Sequence, residues 1–452
     1  MNKYEPCIAA IATGAGGAIS IIRLSGSNVL SVVNQVWKSK ELIENYPNRS
    51  MQLGHLYDRN ENPLDHALAV FMPGPHSYTG EDLVEIHTHG GAMITKTVLR
   101  ELLHAGANHA EAGEFTKRAF INGKIDLTQA EAVSDLIQAQ SEMALHAASK
   151  QLDGQLGKRV AESYEQLNEI LGEIEVRMDF VDEELDWTSH QKLNRYITAA
   201  IENFTDLLQY QHEGEILRNG VKLAIIGAPN AGKSSLLNLI LGHERAIVTD
   251  IAGTTRDTLE EQTTLRGIPI HLVDTAGIRE SNDVVEQQGV NRSYQMMEQA
   301  QLILYLFDQT QNLDVQSFDI PQGKEENILY VVNKSDMPSK SSIENFFKDK
   351  TFVSISAKNG DGFNELLDAI EKQVWQEENH IEPEIAINAR HADHLMTALT
   401  ELHQAMDVLE MEDYELVAIN LRVAIDAIGN LLGKTVQADV LDYIFGKFCI
   451  GK

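Results

Sequence analysis

Apolar positions in the first part of the chain form the short runs that are typical of β-strands. Turn residues separate these runs, and one helical stretch lies near Thr95 to Ala105. The runs are Ile8 to Ala12, Ala18 to Leu24, Ala67 to Met72 and Leu83 to His87. Because short strands are mixed with a helix, we predict a small α+β domain over residues 1–122.

From Leu127 onwards the apolar spacing becomes that of helices. It includes Leu127, Ala130, Val133, Ile137, Leu152, Leu156, Val160, Leu167, Leu171 and Ile174. The chain has no proline between Pro75 and Pro229, so every residue of this stretch keeps the backbone N–H that a helix uses. After Pro383 the period returns at Leu395, Leu399, Leu402, Met406, Leu409, Leu421, Ile425, Ile428 and Leu432. We therefore predict helical segments over residues 123–218 and 377–452.

Between these segments, residues 219–376 carry a different pattern. A compact apolar run begins at Val221, and strands then alternate with helical stretches to about Trp375. This alternation predicts a parallel α/β domain. Since a compact domain can be inserted into a loop of another domain, we predict one all-α helical domain built from both separated segments. Two separate helical tails are the alternative.

Composition and charge narrow the function classes. A chain of 452 residues indicates about two to four domains. The net charge of −30 opposes broad nucleic-acid binding by this chain alone, so that RNA would need a local patch or a basic partner. Cys7 and Cys449 are too isolated for a disulfide framework. Neither a membrane-helix run nor a signal peptide is evident, and we expect a cytoplasmic protein without membrane association.

A phosphate-binding motif follows the predicted strand at Val221. Residues 227–234 match G-x-x-x-x-G-K-[ST] and precede a helical run, which is the context that this motif requires. Backbone amides of such a loop surround phosphate oxygens at a helix N-terminus. Lys233 would neutralise the β- and γ-phosphates, and the Ser234 hydroxyl would bind Mg²⁺. We therefore expect a nucleotide and Mg²⁺ as cofactors.

Three further motifs identify the nucleotide as GTP. Asp274 to Gly277 follow an apolar strand, where the carboxylate can hold the metal and the glycine amide can sense the γ-phosphate. Asp336, in Asn-Lys-Ser-Asp, can accept hydrogen bonds from guanine N1–H and the amino group, which adenine does not offer. Ser356, Ala357 and Lys358 form the usual loop over the base. Together the motifs predict a Ras-like α/β P-loop G domain.

The residues at the switch positions do not by themselves show which side chain is catalytic. Thr255 would complete the Mg²⁺ shell. For Arg256, a surface ion pair is favoured over the role of a catalytic arginine finger. Ile278 occupies the position at which Ras-like proteins carry the glutamine that orients water, and an apolar side chain cannot orient water. Glu286 is a candidate for that role, with an exposed helix residue as the alternative.

Segments throughout the chain resemble the MnmE (TrmE) family of tRNA-modification GTPases. Residues 246–257, Ala-Ile-Val-Thr-Asp-Ile-Ala-Gly-Thr-Thr-Arg-Asp, are similar to the family's potassium loop. Residues 75–91 and 113–127 resemble the family's N-terminal domain and the start of its helical domain, and Phe448 to Lys452 match its terminal signature. The loop at residues 12–18 lacks the proline that the family usually has.

For the G domain the resemblance implies a potassium ion where other GTPases insert an arginine. Asn230 and oxygens of Thr249, Ile251 and Thr254 would hold it, and Glu286 would be the catalytic glutamate. The implied nucleotide contacts are Asn230, Ala231, Gly232, Lys233, Ser234, Ser235, Thr249, Asp250, Ile251, Ala252, Gly253, Thr254, Thr255, Asp274, Thr275, Ala276, Gly277, Asn333, Lys334, Asp336, Ser356, Ala357 and Lys358.

For the whole protein the resemblance implies a homodimer acting with an FAD-dependent MnmG-type partner, in a heterotetramer or larger complex that binds tRNA. The complex would add an aminomethyl or carboxymethylaminomethyl group to the wobble uridine of certain tRNAs. A tetrahydrofolate derivative, in the 5-formyl or 5,10-methylene form, would supply the carbon, and FAD would reside only on the partner. Arg23, Glu85, Lys124 and Lys452 would bind the folate, and residues 1–122 would also mediate dimerisation.

Some alternatives remain open at this point. His87 and His89 could form a metal pair, although strand histidines that shape a pocket are favoured because no third ligand cluster is evident. Cys449 is either a catalytic nucleophile or a packing residue. At the level of function, the rivals are a regulatory switch such as a ribosome-assembly GTPase, and a folate-dependent aminomethyltransferase timed by its G domain.

Overall fold

The computed structural model describes most of the chain. It covers residues 6–14, 16–179, 190–243, 261–273, 286–313, 320–340, 343–347, 350–375 and 385–452. At residues 286–292, 344 and 345 it describes the backbone alone. Among the described helices, none is long and apolar enough to cross a membrane.

The N-terminal region is built on a mixed sheet in the order β3-β4-β5-β6-β2-β1-β7. Its elements are β1 (Ile8–Ile11), β2 (Ile19–Ser25), α1 (Val29–Val36), β3 (Trp37–Lys38), β4 (Met51–Tyr57), β5 (Pro63–Met72), β6 (Leu83–His89), α2 (Ala92–His104), β7 (Asn108–His109) and α3 (Glu114–Ile121). Helices α1 and α2 bury their valine and leucine faces against one side of the sheet. The predicted α+β class is therefore confirmed.

Alternation along β2 decides which residues face the opposite side of this sheet. Ile22 and Leu24 are fully buried in the core beneath the helices, so Arg23 between them points to the other face. The antiparallel register of β2 and β6 places Arg23 directly opposite Glu85. Two charged residues 62 positions apart thus become cross-strand neighbours.

Helices follow from Leu127 to the start of the G domain. They are α4 (Leu127–Gln138), α5 (Glu142–Leu152), α6 (Gln155–Asp179), α7 (His190–Gln209) and α8 (Gln211–Asn219). Helix α4 begins at a capping box in which the Asp126 side chain accepts from the Gln129 amide and the Gln129 side chain accepts from the Asp126 amide. This cap fixes where the N-terminal region ends and the helical region begins.

The G domain contains a sheet in the order β13-β12-β11-β8-β10-β9. Its described elements are β8 (Val221–Gly227), α9 (Lys233–His243), β9 (Glu261–Leu265), β10 (Ile268–Leu272), α10 (Glu286–Gln299), β11 (Leu302–Asp308), β12 (Ile328–Asn333), α11 (Ile343–Phe346), β13 (Phe352–Ile355) and α12 (Phe363–Trp375). The sheet is parallel, as predicted, except that the edge strand β9 is antiparallel to β10. Only Arg266 and Gly267, both with positive φ, join these strands, and so short a turn forces antiparallel pairing.

The chain then returns to the helical region through α13 (Ala389–Leu409), α14 (Tyr414–Leu432) and α15 (Ala438–Phe445). Helices α6, α7, α13 and α14 pack as a bundle with one continuous core. Fully buried leucines from both chain segments meet there, for example Leu167 and Leu207 from the first and Leu395 and Leu421 from the second. A single helical domain built from two segments is therefore confirmed, and the alternative of two separate tails is excluded.

Candidate functional sites

The loop between β8 and α9 has the strained backbone of a phosphate-binding loop. Asn230 adopts a left-handed φ of 61°, and Gly232 has a φ of 101°. A Cβ at Gly232 would lie 2.1 Å from Asn333 Nδ2, so only glycine fits. Lys233 Nζ donates to the carbonyls of Gly227 and Ala228 at 2.9 and 3.0 Å, which holds the ammonium over the loop. Burial lowers the pKa of this lysine.

Asn333 connects this loop to the base-recognition loops. Its Nδ2 donates to Ala231 O at 2.8 Å, and its Oδ1 accepts from the Ala357 amide at 2.9 Å. The side chain is buried, and these two hydrogen bonds give both its amide nitrogen and its carbonyl oxygen a partner. Asn333 therefore links the loop that precedes α9 to the loop that carries Ser356, which are the predicted phosphate and base ends of the site.

The predicted base selector is held in position by a buried hydroxyl. Ser356 Oγ donates to Asp336 Oδ1 at 2.7 Å, and the Ser335 amide donates to Ile355 O at 3.0 Å. The Asp336 carboxylate itself is exposed, as a group that accepts hydrogen bonds from a base must be. Lys358 is also exposed, on the loop after β13 that carries Ser356.

Two residues at the end of β11 support this loop and were not identified from the sequence. Asp308 is buried, and its Oδ2 accepts from Lys334 Nζ at 2.6 Å. Burial opposes the charged form, but the hydrogen bonds from Lys334 and Thr310 outweigh it and lower the pKa of Asp308. Gln309 donates to the carbonyls of Lys334 and Met337. The position of Asp308 at the carboxyl end of a buried strand was the available signal.

Part of the predicted nucleotide site lies outside the described residues. This part comprises Thr249, Asp250, Ile251, Ala252, Gly253, Thr254, Thr255, Asp274, Thr275, Ala276 and Gly277, and the switch residues Arg256 and Ile278 also lie outside the described residues. Glu286 is the first residue of α10, and its side chain is also outside the described part. Ser234 and Ser235 are exposed in the first turn of α9, directly after Lys233.

A second cluster of charged residues lies on the outer face of the N-terminal sheet. Arg23 and Glu85 form an ion pair with Nη2 to Oε1 at 2.8 Å and Nε to Oε1 at 2.9 Å. Both side chains are mostly buried, with 18% and 17% exposed. His87 Nε2 lies 3.7 Å from Glu85 Oε2, and we call this cluster of Arg23, Glu85 and His87 the N-terminal pocket. A paired guanidinium and carboxylate in a recess present one cationic and one anionic edge to a ligand.

Two aromatic rings hold the guanidinium of this pair. Arg23 Cζ lies 5.5 Å from the ring centre of Tyr78 and 5.7 Å from that of Phe115. The Tyr78 hydroxyl is hydrogen-bonded to Thr116 Oγ1 at 2.9 Å, and burial raises the pKa of this tyrosine. The two rings were not predicted as site residues, because they become neighbours of Arg23 only after folding.

The C-terminal tail reaches this pocket. The Phe115 amide donates to Lys452 O at 3.2 Å, and the Gly113 amide donates to Cys449 O at 3.4 Å. Gly451 has a φ of 94°, and a Cβ there would lie 2.3 Å from Ile11 O. Cys449 is exposed.

Lys124 and His89, the other candidate residues of the N-terminal domain, are both exposed but have different partners. Lys124 is exposed, and its Nζ donates to Pro75 O at 2.9 Å on the loop that carries Tyr78. His89 is exposed and bonds to Asp65 through Nδ1 at 2.7 Å, away from the pocket. Within the described part of the chain, no group of three or more histidine, cysteine, aspartate or glutamate residues could hold a metal ion.

Comparisons with known proteins agree over the full length. The MnmE helical domain family matches residues 127–449, and the family of the N-terminus of the GTP-binding protein TrmE matches residues 7–124. The tRNA modification GTPase MnmE of Aquifex aeolicus (strain VF5) is 43% identical over 453 aligned positions, which cover 99% of this chain and 100% of that protein. The protein of the same name from Clostridioides difficile (strain 630) is 41% identical, with 99% of each chain covered.

Solved structures similar to this chain include the G domain of FeoB from Methanococcus jannaschii. It is 25% identical, covers 34% of this chain and 97% of its own, and gives a TM-score of 0.26. The two family matches together include the N-terminal and helical regions, and the full-length relatives include the G domain between them. The chain belongs to the MnmE family of tRNA modification GTPases.

Proposed function

We propose that this protein is a K⁺-stimulated GTPase that acts with an FAD-dependent MnmG-type partner. Together they would add an aminomethyl or carboxymethylaminomethyl group to C5 of the wobble uridine of certain tRNAs, with a folate as the one-carbon source. The observation that carries the proposal is the presence, in one chain, of the exposed Asp336 carboxylate held by Ser356 and of the mostly buried Arg23–Glu85 pair, near which the C-terminal tail hydrogen-bonds to Phe115. Full-length relatives named as tRNA modification GTPases support it.

In the G domain, Lys233 would bind the β- and γ-phosphates, and Asp336 would select guanine. Ser234 and Thr255 would hold Mg²⁺, and Asn230 with loop oxygens would hold K⁺. All these ligands are oxygens, which suit hard cations, and the left-handed backbone of Asn230 projects its exposed side chain from the loop. The bound cations would offset negative charge that develops in phosphoryl transfer. Glu286 would orient the attacking water.

In the N-terminal pocket, Arg23, Lys124 and Lys452 would attract the carboxylates of a folate tail, while Glu85 would accept hydrogen bonds from the pterin. Cys449 lies next to this pocket through its backbone contact with Gly113 and could act there as the nucleophile. We also propose that the domain boundaries lie after residues 122, 218 and 376.

We also propose that the protein is a homodimer. The outer face of its N-terminal sheet exposes Ile19, Met51, Leu53 and Leu68, of which Leu53 and Leu68 are cross-strand neighbours. An exposed apolar patch of this kind is typical of a subunit interface. Because the chain carries a net charge of −30, the tRNA backbone would be bound mainly by the flavoprotein partner.

The test of the K⁺ mechanism is a comparison of GTP hydrolysis in potassium and in sodium at equal ionic strength. A catalytic arginine contributes about 10³ to 10⁵ in rate, so even partial replacement by K⁺ predicts a large difference. Asn230→Ala should abolish the difference while nucleotide binding remains nearly intact. Asn238→Ala, at an exposed position on α9, is the matched control and should behave as the wild type. Equal rates in the two salts would contradict the mechanism.

The test of the modification itself is mass spectrometry of tRNA nucleosides from a strain that lacks the gene. The wobble uridine should lose its C5 substituent and regain it on complementation. Unchanged nucleosides, combined with a failure of the protein to bind reduced folate, would instead support the regulatory switch.

A further inference from the structure

The chain passes twice between the helical region and the G domain, and acidic residues of α4 contact both passages. The incoming passage runs from Arg218 at the end of α8 to Val221, and the outgoing passage consists of residues 385–388 and the first turn of α13, which carries Arg390 and His391. Glu131 and Asp135 are one helical turn apart on α4, so their side chains lie on the same face. Each is paired with a cation from a different passage.

Glu131 binds the outgoing passage through a rigid, buried network. Its two carboxylate oxygens accept from Arg390 Nε and Nη2, both at 2.8 Å, and Oε2 also lies 2.7 Å from His391 Nε2. Arg390 further donates to the carbonyls of Asn430 and Leu431. Glu131 is 6% exposed and His391 is fully buried. A bidentate pair of this kind has one fixed geometry.

Asp135 binds the incoming passage through a single, looser contact. Arg218 Nε lies 2.9 Å from Asp135 Oδ1, and the two side chains are 35% and 18% exposed. Burial raises the pKa of Asp135 to about 6, with a smaller contribution from the Glu131 charge, although the Arg218 charge opposes this shift. Asp135 and Arg218 line a cavity of about 30 Å³, and its small lining residues are Ala139, Ala144, Ala147, Ala148, Gly214 and Ala386. The packing around this contact therefore leaves room for rearrangement.

The other end of α4 contacts the C-terminal tail. Leu127 and Ala130 share a buried cluster with Phe445 and Phe448, and Phe448 directly precedes Cys449. From Leu127 to Asp135 the helix extends by about 12 Å. One short helix thus connects the incoming passage of the G domain to the tail that lines the N-terminal pocket.

We propose that α4 couples the nucleotide state of the G domain to the C-terminal tail, with the Glu131 network as a fixed pivot and the Asp135–Arg218 pair as the contact that opens. Opening of the pair would free α8 and shift α4 against Phe445 and Phe448. The displaced tail would then change the pocket that contains Arg23. The coupling requires only that the G domain bind nucleotide, and it is independent of the chemistry proposed for the pocket.

Hydrogen exchange of the full-length protein tests this coupling. Amide exchange in α8 and in residues 445–452 is measured without nucleotide and with a non-hydrolysable GTP analogue and Mg²⁺. In the wild type, the analogue should raise exchange in both segments by at least about threefold, as local opening predicts. In Asp135→Asn, which keeps the shape but removes the charge, exchange should already be high without nucleotide, and the analogue should add little.

Two further variants separate coupling from simple loss of stability. Arg218→Gln breaks the same contact from its other side and should reproduce the effect of Asp135→Asn. Glu175→Gln breaks an exposed ion pair with Arg422 elsewhere in the bundle and should respond to the analogue as the wild type does. Helix α7 serves as the internal reference, because a global loss of stability would raise its exchange as well. Equal raised exchange in α7, a full nucleotide response in Asp135→Asn, or no response in the wild-type tail would overturn the proposal.

Discussion

The nucleotide site and the N-terminal pocket hold their charged groups in opposite ways. In the G domain the polar residues follow the carboxyl ends of parallel strands, and main-chain groups hold many of them, as at Asn333. In the N-terminal domain a cross-strand side-chain pair, Arg23 and Glu85, is held between aromatic rings. Main-chain groups therefore hold much of the first site, whereas side chains hold the charged pair of the second site.

This difference affects how each site should respond to mutation. A backbone-based site tolerates the loss of a supporting side chain, since neighbouring loops retain their own hydrogen bonds. A site made of a few side chains in a recess depends on each of them, because removal of one leaves a partly buried charge without its partner. The predictions that follow use this contrast, beginning with the largest expected effect.

The base selector should be an exception to the tolerance of the nucleotide site, because Asp336 would contact the ligand itself. Asp336→Asn should lose affinity for GTP and gain hydrolysis of xanthosine triphosphate. Two charge-assisted hydrogen bonds at about 1.5–3 kcal/mol each correspond to a change of roughly 10² to 10⁴ in specificity. Relative kcat/KM for the two nucleotides measures it, and a variant that still prefers GTP would refute the assignment.

The N-terminal pocket should be more sensitive to a conservative change. Arg23→Lys keeps the charge but loses the planar group that pairs with Glu85 and stacks on Tyr78 and Phe115. We expect the affinity for reduced folate to fall by about 1–3 kcal/mol, which is roughly 5- to 150-fold, while GTP hydrolysis is retained. Calorimetry measures the affinity. Arg422→Lys, in an exposed ion pair, is the matched control, and equal affinities of Arg23→Lys and the wild type would argue against a role for Arg23 in this pocket.

The residues of the predicted nucleotide site are easier to group from the sequence than those of the N-terminal pocket, for a physical reason. A phosphate-binding loop is contiguous, and its strand, glycines and lysine occur within 14 residues, from Val221 to Ser234. Arg23 and Glu85 are 62 positions apart, and only the register of β2 and β6 brings them together. The resemblance to a known family identified the pair, whereas the aromatic rings had no local signal.

The secondary structure also depends on contacts between residues that are distant in the sequence. Helix α1 consists largely of β-branched valines, which favour strands, yet Val29, Val32, Val33 and Val36 are buried at helical spacing. Strand β4 was missed because Gly54 interrupts it, and that glycine is needed there, since a Cβ would lie 2.4 Å from the Trp37 ring. In both cases tertiary packing outweighs local propensity.

The smallest expected effect concerns the support of the base-recognition loop. Asp308→Asn keeps an acceptor for Lys334 but removes its charge, and Gln309 still holds the loop through two carbonyls. We therefore expect the Kd for GTP to rise by about five- to tenfold, with kcat nearly unchanged, because a charge-assisted hydrogen bond is about twice as strong as a neutral one. Asp368→Asn, which alters an exposed ion pair with Arg266 in the same domain, should leave both values unchanged.

The pH dependence of stability gives a second measure of the same contact. The pKa of Asp308 is lower in the folded protein than the value of about 3.9 expected when unfolded, so its charge stabilises the fold above that value. This contribution should disappear as the pH falls through the lower, folded pKa. The difference in unfolding free energy between the wild type and Asp308→Asn should therefore be largest near neutral pH and shrink below about pH 4. A difference that stays constant from neutral to acid pH would mean that Asp308 acts through its shape, and the pair with Lys334 would then not be what supports the loop.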